Sequence, residues 1–363
     1  QQKYELAYQA ADGYRGGPEG RMVEAHFHAG WIALSYLGDA ERATRHFEAM
    51  RPYATLPDSV TQANYWLGRA RLAAGDNAGA NEAFAEATRF STVYYGLLAS
   101  DALGDGATIR SIPDETLSYG TFHARDAIRG VELLAANGQR PLALTLLKSV
   151  AQQLDDGGEM LLAARLAESL DAHDTAIAIA DIAERRGFPL DPVSFPNDIV
   201  PTTQVAEVDH AAIYAVVRQE SRFRSDAVSS AGARGLMQLM PGTARDTARM
   251  VGVDYSKGRL TSDPAYNALL GSTYLADQLA AFDGSLVLAA AAYNAGPGNA
   301  RKWIRAYGDP RSETVDPIDW IERIPFAETR KYVQRVLGNY LVYRARFGDE
   351  GLRITDVLRG AAG

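Results

Sequence analysis

Four segments in the first 190 residues share a pattern that strongly limits the possible fold. Each has a small or polar corner residue, an alanine five residues later and an apolar residue nine residues later. A glycine corner suits the end of a helix, where a positive φ is common, and the alanine lets the next helix approach closely. The pattern predicts pairs of helices joined by tight turns, in the sets Gly38/Ala43/Phe47, Gly75/Ala80/Phe84, Gly138/Ala143/Leu147 and His173/Ala178/Ile182.

The spacing of the four corners indicates a repeated helical architecture. The corners are 37, 63 and 35 residues apart, so the long middle interval predicts an additional helix. Repeated helix–turn–helix pairs stack as in tetratricopeptide-like solenoids. A generic α-helical bundle is the alternative, and both interpretations make this region a scaffold.

A dense run of turn-forming residues follows the repeats. The run, at residues 186–208, contains Gly187, Pro189, Pro192, Pro196 and Pro201. Such a run ends regular helix, and Asp209 then suits the N-cap of a new helix. We therefore predict a helical scaffold with its linker at residues 1–200 and a second domain at residues 201–363.

Composition and charge exclude several classes of protein. The 363 residues include no cysteine, which excludes a disulfide framework, a thiolate zinc site and a cysteine nucleophile. The net charge of -8 argues against a mainly electrostatic nucleic-acid binder. We expect no membrane span, because no stretch approaches about 20 apolar residues. The chain begins at Gln1 without a basic or apolar leader, so we expect a processed form whose export signal has been removed.

The first helical pattern after the linker leads to a carboxylate. Ile213, Val216 and Val217 form an apolar stripe at helical spacing, and Glu220 continues the same face. Burial among apolar groups disfavours the charged form of a carboxyl, so an acid at this position can stay protonated and act as a general acid. The helix pattern alone favours a structural alternative, an ion pair with one of the neighbouring arginines Arg218, Arg222 and Arg224.

Polar residues lie within, at the end or at the start of three further helical or apolar segments. Gln238 lies in an apolar run, where its amide needs a partner, either in a substrate or in the backbone. Ser285 can cap a helix that ends at Tyr293 and Asn294, whose polar tips can face a cleft or serve packing and capping. Glu328 lies in the first turn of a helix, where the dipole favours an acid for structural reasons alone.

Together these segments resemble the catalytic domain of soluble lytic transglycosylases, the family-1 enzymes that cleave peptidoglycan. Four motifs in register carry the resemblance, Arg218–Ser221, Gly235–Pro241, Ala292–Gly298 and Ile324–Val333. Upstream, Tyr65–Ala70 and Tyr94–Ala99 resemble the superhelical domain of the same family. The resemblance implies an all-α chain in which a tetratricopeptide-like superhelix precedes a lysozyme-like catalytic domain.

The resemblance also implies a catalytic group and its neighbours. Glu220 matches the acid/base of the family, which uses one carboxylate and neither a metal nor a cofactor. Ser229 matches a hydroxyl that orients the substrate N-acetyl group or the acid, although a one-residue gap would exchange it with Ser230. Gln238 and Met240 match residues that line the cleft.

Three further positions carry over from the later motifs. Tyr293 matches a tyrosine that positions the catalytic glutamate and stabilises the transition state, and Asn294 is its neighbour in the motif. Glu328 matches an acidic position that contacts the glycan or its stem peptide.

The family chemistry gives one main prediction and two alternatives. We expect cleavage of the β-1,4 bond between N-acetylmuramic acid and N-acetylglucosamine with formation of 1,6-anhydromuramoyl ends. If Asp226 reached the cleft as a second carboxylate, hydrolysis like that of goose-type lysozyme would be the alternative, but we interpret Asp226 as solvated or capping. An inactive glycan- or protein-binding scaffold is the alternative from a different class.

The expected partners and location follow from the same resemblance. They are peptidoglycan strands and their stem peptides in the periplasm of a Gram-negative bacterium. The helical region could also bind proteins of a cell-wall complex.

Overall fold

The computed structural model describes residues 2–202, 208–349 and 351–360. The fold is all-α, as predicted, and the described residues form no β-strand beyond two isolated bridges, Val228 with Arg234 and Arg234 with Leu239. None of the described helices is both long enough and apolar enough to cross a membrane. The chain separates into two compact units, each assembled from separate segments of the sequence.

The first unit comprises Gln1–Thr108, Trp303–Gly338 and Glu350–Gly363. Its N-terminal segment contains six helices: α1 Gln2–Asp12, α2 Glu19–Ile32, α3 Ala40–Met50, α4 Pro57–Ala73, α5 Asn77–Ala87 and α6 Tyr94–Ala102. A π-helical turn at Ala33–Leu37 continues α2.

The second unit comprises Ile109–Lys302 and Asn339–Asp349. Its first helices are α7 Tyr119–Ala124, α8 Asp126–Ala136, α9 Arg140–Ala151, α10 Gly157–Ser169, α11 His173–Arg185 and α12 Asp191–Ser194. The following helices are α13 His210–Ser221, α14 Pro241–Met250, α15 Arg259–Ser262, α16 Pro264–Ala281 and α17 Leu286–Ala295.

Four further helices follow among the described residues. They are α18 Pro297–Tyr307, α19 Pro317–Glu322, α20 Ala327–Arg346 and α21 Ile354–Leu358. The division between the two units falls within α18 and α20, while α19 and α21 belong to the first unit.

The first three predicted helix pairs are confirmed. Their corners Gly38, Gly75 and Gly138 have φ values of 67°, 83° and 73°, and each lies between two helices. At these angles a side chain would be strained, so glycine is the favourable residue.

The predicted large residues fill the grooves between paired helices. A Cβ atom built on Gly30 of α2 would lie 2.7 Å from the ring of Phe47 in α3. A Cβ atom built on Gly68 of α4 would lie 2.4 Å from the ring of Phe84 in α5. Each phenylalanine therefore packs directly on a glycine of the preceding helix, which draws the two backbones together.

The fourth predicted set has the wrong register. Its corner is Asp171, with φ 54°, and His173 is already the first residue of α11. Ala176 and Ala180, five and nine positions after Asp171, are fully buried, whereas Ala178 is half-buried. An aspartate can adopt a left-handed conformation, so the polar corner lies at Asp171, two residues before the predicted His173.

The long middle interval contains two further helices, α6 and α7, where one was predicted. The predicted linker contains the short helix α12, and its residues 203–207 lie outside the described residues. The domain boundary near residue 200 stays a prediction.

Candidate active site

The helix that carries Glu220 has a defined start and an abrupt end. The Asp209 side chain caps α13 by accepting a hydrogen bond from the Ala211 amide at 2.9 Å, as predicted. Arg222 and Phe223 then adopt φ values of 50° and 68°, which ends the helix immediately after Ser221. Glu220 is half-buried as the penultimate residue of α13.

The apolar stripe of α13 packs into the core as predicted. Ile213 is 3 % exposed, and Val216 and Val217 are fully buried. Tyr214 is buried on the same helix, and its hydroxyl accepts a hydrogen bond from the Val200 amide at 3.0 Å. This packing fixes the axis of the helix that presents Glu220.

Arginines on either side of Glu220 fasten the end of α13. Arg218 donates to the Ser194 carbonyl at 2.7 Å and to the side chain of Asn339 at 2.9 Å. The Arg218 guanidinium also lies 4.1 Å from the ring centroid of Phe195. Arg222 pairs with Asp181 of α11 at 3.0 Å. These contacts tie the helix end to the preceding helical region of the same unit.

The Asp226 side chain is exposed to solvent, as predicted from the sequence. Its side chain is 76 % exposed, and a carboxylate oxygen lies 3.4 Å from Arg224 Nε. An exposed ion pair of this kind contributes little free energy.

Ser229 and Gln238 lie in one compact turn region between α13 and α14. The Ser229 hydroxyl oxygen accepts a hydrogen bond from the Ala233 amide at 3.0 Å, which closes a local turn. The Gln238 side-chain amide donates to the carbonyls of Gly235 at 2.8 Å and Ala227 at 3.2 Å. The structure therefore gives the Gln238 amide backbone partners, one of the two alternatives that the sequence allowed.

Gln238 stands in a strained backbone conformation. Its φ is 47°, and Arg222 and Phe223 of the same unit also have positive φ. Such conformations persist only where the surrounding contacts impose them, and they concentrate at functional sites.

A buried asparagine that sequence reasoning missed organises this turn region. Asn267 of α16 is fully buried, and its side-chain oxygen accepts the Met237 amide at 2.9 Å. Its side-chain nitrogen donates to the carbonyls of Arg234 at 2.9 Å and Leu260 at 3.0 Å. The sequence signal for Asn267 was its single side-chain amide within the apolar pattern of α16.

Tyr293 lies near the end of α17 and contacts the same turn region. Ser285 caps this helix by accepting the Leu288 amide at 3.4 Å, as predicted. The Tyr293 hydroxyl donates to the Met237 carbonyl at 2.9 Å, and its ring lies 5.1 Å from that of Tyr274.

Electrostatics connect Tyr293 to Glu220. Burial raises the pKa of the Tyr293 hydroxyl well above its usual range, and the negative charge of Glu220 raises that pKa further. Tyr293 therefore remains a neutral hydroxyl at every physiological pH. The structure brings these two predicted residues close enough for the charge of Glu220 to affect the Tyr293 pKa.

The remaining predicted residues have different surroundings. Met240 is 44 % exposed at the N-cap of α14, and Asn294 is half-buried beside Tyr293. Glu328 belongs to the first unit, where it is exposed in the first turn of α20. Phe326, two residues before it, is 48 % exposed and packs edge-on against Trp303 at 5.5 Å.

Across the described part of the chain, no three histidine, aspartate or glutamate side chains lie close enough to hold a metal ion.

Comparison with known proteins shows which families two segments of this chain are similar to. Residues 201–315 match the family model of the transglycosylase SLT domain. Residues 323–351 match the model of the soluble lytic transglycosylase helical domain. These matches confirm the resemblance to soluble lytic transglycosylases that was found in the sequence.

One curated relative shows the same similarity at the level of sequence identity. The soluble lytic murein transglycosylase of Escherichia coli K12 is 38 % identical over 149 residues, which cover 41 % of this chain and 22 % of that protein. The chain thus matches about a fifth of the length of this curated relative.

Two solved structures extend the likeness to nearly the whole fold. An inactive mutant of lytic transglycosylase Slt from Pseudomonas aeruginosa has a TM-score of 0.70 and 27 % identity, covering 96 % of this chain and 57 % of that one. The 70 kDa soluble lytic transglycosylase of Escherichia coli has a TM-score of 0.68 and 25 % identity, covering 93 % and 53 %. The predicted fold class, a helical superhelix with a lysozyme-like domain, is confirmed.

Proposed function

We propose that this chain is a peptidoglycan lytic transglycosylase. It cleaves the β-1,4 bond between N-acetylmuramic acid and N-acetylglucosamine and leaves 1,6-anhydromuramoyl ends. The observation that carries the proposal is that a half-buried Glu220 lies near enough to Tyr293 for its charge to raise the Tyr293 pKa, inside the segment that matches the transglycosylase domain.

Glu220 serves first as the acid. Its carboxyl proton passes to the glycosidic oxygen as the bond between that oxygen and C1 of the muramic acid breaks, and positive charge develops at C1. The substrate N-acetyl group assists at C1. Tyr293, anchored on the Met237 carbonyl, orients Glu220 and supports the developing charge without exchanging a proton.

Glu220 then serves as the base. The C6 hydroxyl of the same sugar attacks C1, and its proton passes to the Glu220 carboxylate, which restores the starting acid. No water is consumed. An intramolecular nucleophile has a large effective concentration, which allows one carboxylate to suffice where most glycosidases use two.

The surroundings of Asp226 support this reaction over hydrolysis. Hydrolysis by a second carboxylate needs that group to activate water at the sugar. Asp226 is 76 % exposed and paired with Arg224. Ser229, Gln238, Met240 and Asn294 complete the proposed substrate-binding residues around the acid, and Glu328 is the proposed contact to the glycan or its stem peptide.

The setting of the reaction is also part of the proposal. The substrate is peptidoglycan with its stem peptides, which locates the protein in the periplasm of a Gram-negative bacterium. Its relative from Escherichia coli is named for murein. Neither a cofactor nor a metal takes part, and the helical region is a candidate surface for cell-wall proteins.

Mass spectrometry of digested, purified peptidoglycan tests the proposal. We expect anhydro ends from the parent protein, and reducing ends that have gained water would instead support hydrolysis. Glu220→Gln should abolish release of products while leaving sedimentation with peptidoglycan intact. Equal cleavage by this variant would refute the assignment of the acid, and a parent protein that binds without cleaving would support the scaffold alternative.

A further inference from the structure

The three acidic residues of α19 and its N-cap lie at a spacing of three. Asp316 caps the helix by accepting the amides of Ile318 at 2.8 Å and Asp319 at 3.2 Å. Asp319 and Glu322 follow at three-residue intervals. Residues three apart share a helix face, so the three carboxylates form one acidic stripe.

Each carboxylate of the stripe contacts a different N-terminal helix or its extension within the first unit. Asp316 accepts a hydrogen bond from Arg69 of α4 at 2.8 Å. Asp319 accepts from the Trp31 indole of α2 at 2.8 Å and from the Ser35 hydroxyl of the π-helical turn at 3.0 Å.

Glu322 is the most deeply buried member of the stripe. It is 3 % exposed and accepts hydrogen bonds from the hydroxyl of Tyr95 in α6 and from the Gln334 amide of α20, the latter at 2.8 Å. The Tyr95 hydroxyl in turn accepts from Gln62 at 3.2 Å and from Gln334 at 3.0 Å. Tyr95 is thus the centre of a buried network that ends on the Glu322 carboxylate.

Arg330 connects this network to the turn between α19 and α20. It donates to the main-chain carbonyls of Glu322 at 3.3 Å and Ile324 at 3.1 Å. Its Nε atom lies 3.8 Å from the Glu322 carboxylate. The turn that these bonds fix leads directly to exposed Glu328.

We propose that Tyr95 and Glu322 are positioning residues that hold Glu328 where it binds the glycan or its stem peptide. The proposal rests on the proposed function, because it takes Glu328 as a substrate contact. It also gives a role to the two upstream motifs, since Tyr65–Ala70 supplies Arg69 and Tyr94–Ala99 supplies Tyr95.

Steady-state kinetics on purified peptidoglycan, with Tyr95→Phe and a matched control, test the proposal. The control is Tyr94→Phe, because Tyr94 is the adjacent residue, is equally buried, and its hydroxyl has no hydrogen-bond partner in the described residues. Loss of one buried hydrogen bond predicts a KM about threefold to tenfold higher for Tyr95→Phe. Its kcat should stay near the parent value, and the control should keep both constants.

Two further variants separate positioning from a general loss of structure. Combining Tyr95→Phe with Glu328→Gln should raise KM no further than Glu328→Gln alone, because both changes act through one contact. Glu322→Gln keeps an acceptor for Tyr95 but removes the ion pair with Arg330, so it should raise KM in the same direction and replaces Tyr95→Phe if that variant does not fold.

Other outcomes overturn the proposal. They are identical kinetics for the Tyr95 and Tyr94 variants, a Tyr95 effect confined to kcat, or multiplying effects of Tyr95→Phe and Glu328→Gln. Failure of the proposed function would be recognised separately, by turnover in Glu220→Gln.

Discussion

The Tyr293 hydroxyl donates a hydrogen bond to the main-chain carbonyl of Met237 at 2.9 Å. This bond joins the end of α17 to the turn region that also carries Gln238. It fixes the position of a neutral hydroxyl whose pKa is raised in part by the charge of Glu220.

We expect Tyr293→Phe to lower kcat more than stability. Loss of one such bond costs about 1 kcal/mol of unfolding free energy. The substitution also removes the hydroxyl that we propose orients Glu220, so kcat should fall strongly. Product release from purified peptidoglycan and urea unfolding measure the two effects. Tyr274→Phe is the control, because it keeps the ring packed against Tyr293 at 5.1 Å. Equal kcat values for the two variants would contradict the assigned role.

Asn267→Leu should be strongly destabilising. The substitution keeps a similar volume but removes a hydrogen bond from each of three main-chain groups, at Met237, Arg234 and Leu260. The Arg234 carbonyl keeps a bond from the Leu239 amide, whereas the Met237 amide and the Leu260 carbonyl are buried. We expect a loss of at least about 3 kcal/mol in urea unfolding. Asn137→Ala removes one exposed bond to Leu133 and should change stability by less than about 0.5 kcal/mol. A small loss for Asn267→Leu would show that water replaces the amide.

Gly235→Ala should distort the backbone of the turn region and lower stability. Gly235 has a φ of 76°, and an added Cβ would lie 2.0 Å from the Leu260 carbonyl. Backbone strain and overlap together should cost about 2–4 kcal/mol, measured by thermal and urea unfolding. Gly242→Ala is the matched control, because its added Cβ meets nothing within 4 Å in the first turn of α14. It should be neutral or stabilising, and a control as unstable as Gly235→Ala would argue against this explanation.

Glu322 should make stability depend on pH. The pKa of Glu322 is raised to about 7. Burial is the main cause and the charge of Asp319 adds to it, whereas the Tyr95 hydrogen bond and the Arg330 charge act in the opposite direction. The native state therefore binds the Glu322 proton more tightly than the unfolded state does, so its contribution to stability falls as pH rises from about 4.5 to about 7.

Glu322→Gln isolates this contribution, because all other titrating groups are shared with the parent. The unfolding free energy of the parent minus that of the variant should fall by up to roughly 3 kcal/mol between pH 4.5 and pH 8. Urea titrations of both proteins at several pH values measure it. A difference that does not vary with pH would mean that the Glu322 pKa is not raised.

Several elements of the fold follow directly from local sequence. The glycines at 38, 75 and 138 mark real corners because a positive φ is a property of single residues. Asp209 and Ser285 were correctly placed as helix caps because capping joins groups only a few residues apart. The fourth predicted corner, His173, was wrong because the residue with positive φ is Asp171, two positions earlier, and a polar residue marks a corner less specifically than glycine does.

From the sequence, the candidate site could be predicted only as a set of separate motifs. The apolar stripe of α13 pointed to Glu220, and the end of α17 pointed to Tyr293. The partner of the Gln238 amide could not be chosen in advance, because substrate and backbone satisfy it equally well. Asn267 was missed because its three bonds reach main-chain groups up to 33 residues away.

The sequence by itself determined the helices, their corners, the acid on the apolar face of α13 and the family that these motifs resemble. These features depend on periodicity and on the conformational preferences of single residues, which act over one or two helical turns. Only the tertiary structure decided what the buried polar groups bind: Tyr293 with Met237, and Tyr95 with Glu322 across 227 residues. A buried polar group must find a partner wherever the folded chain supplies one, and no local pattern specifies where that partner lies.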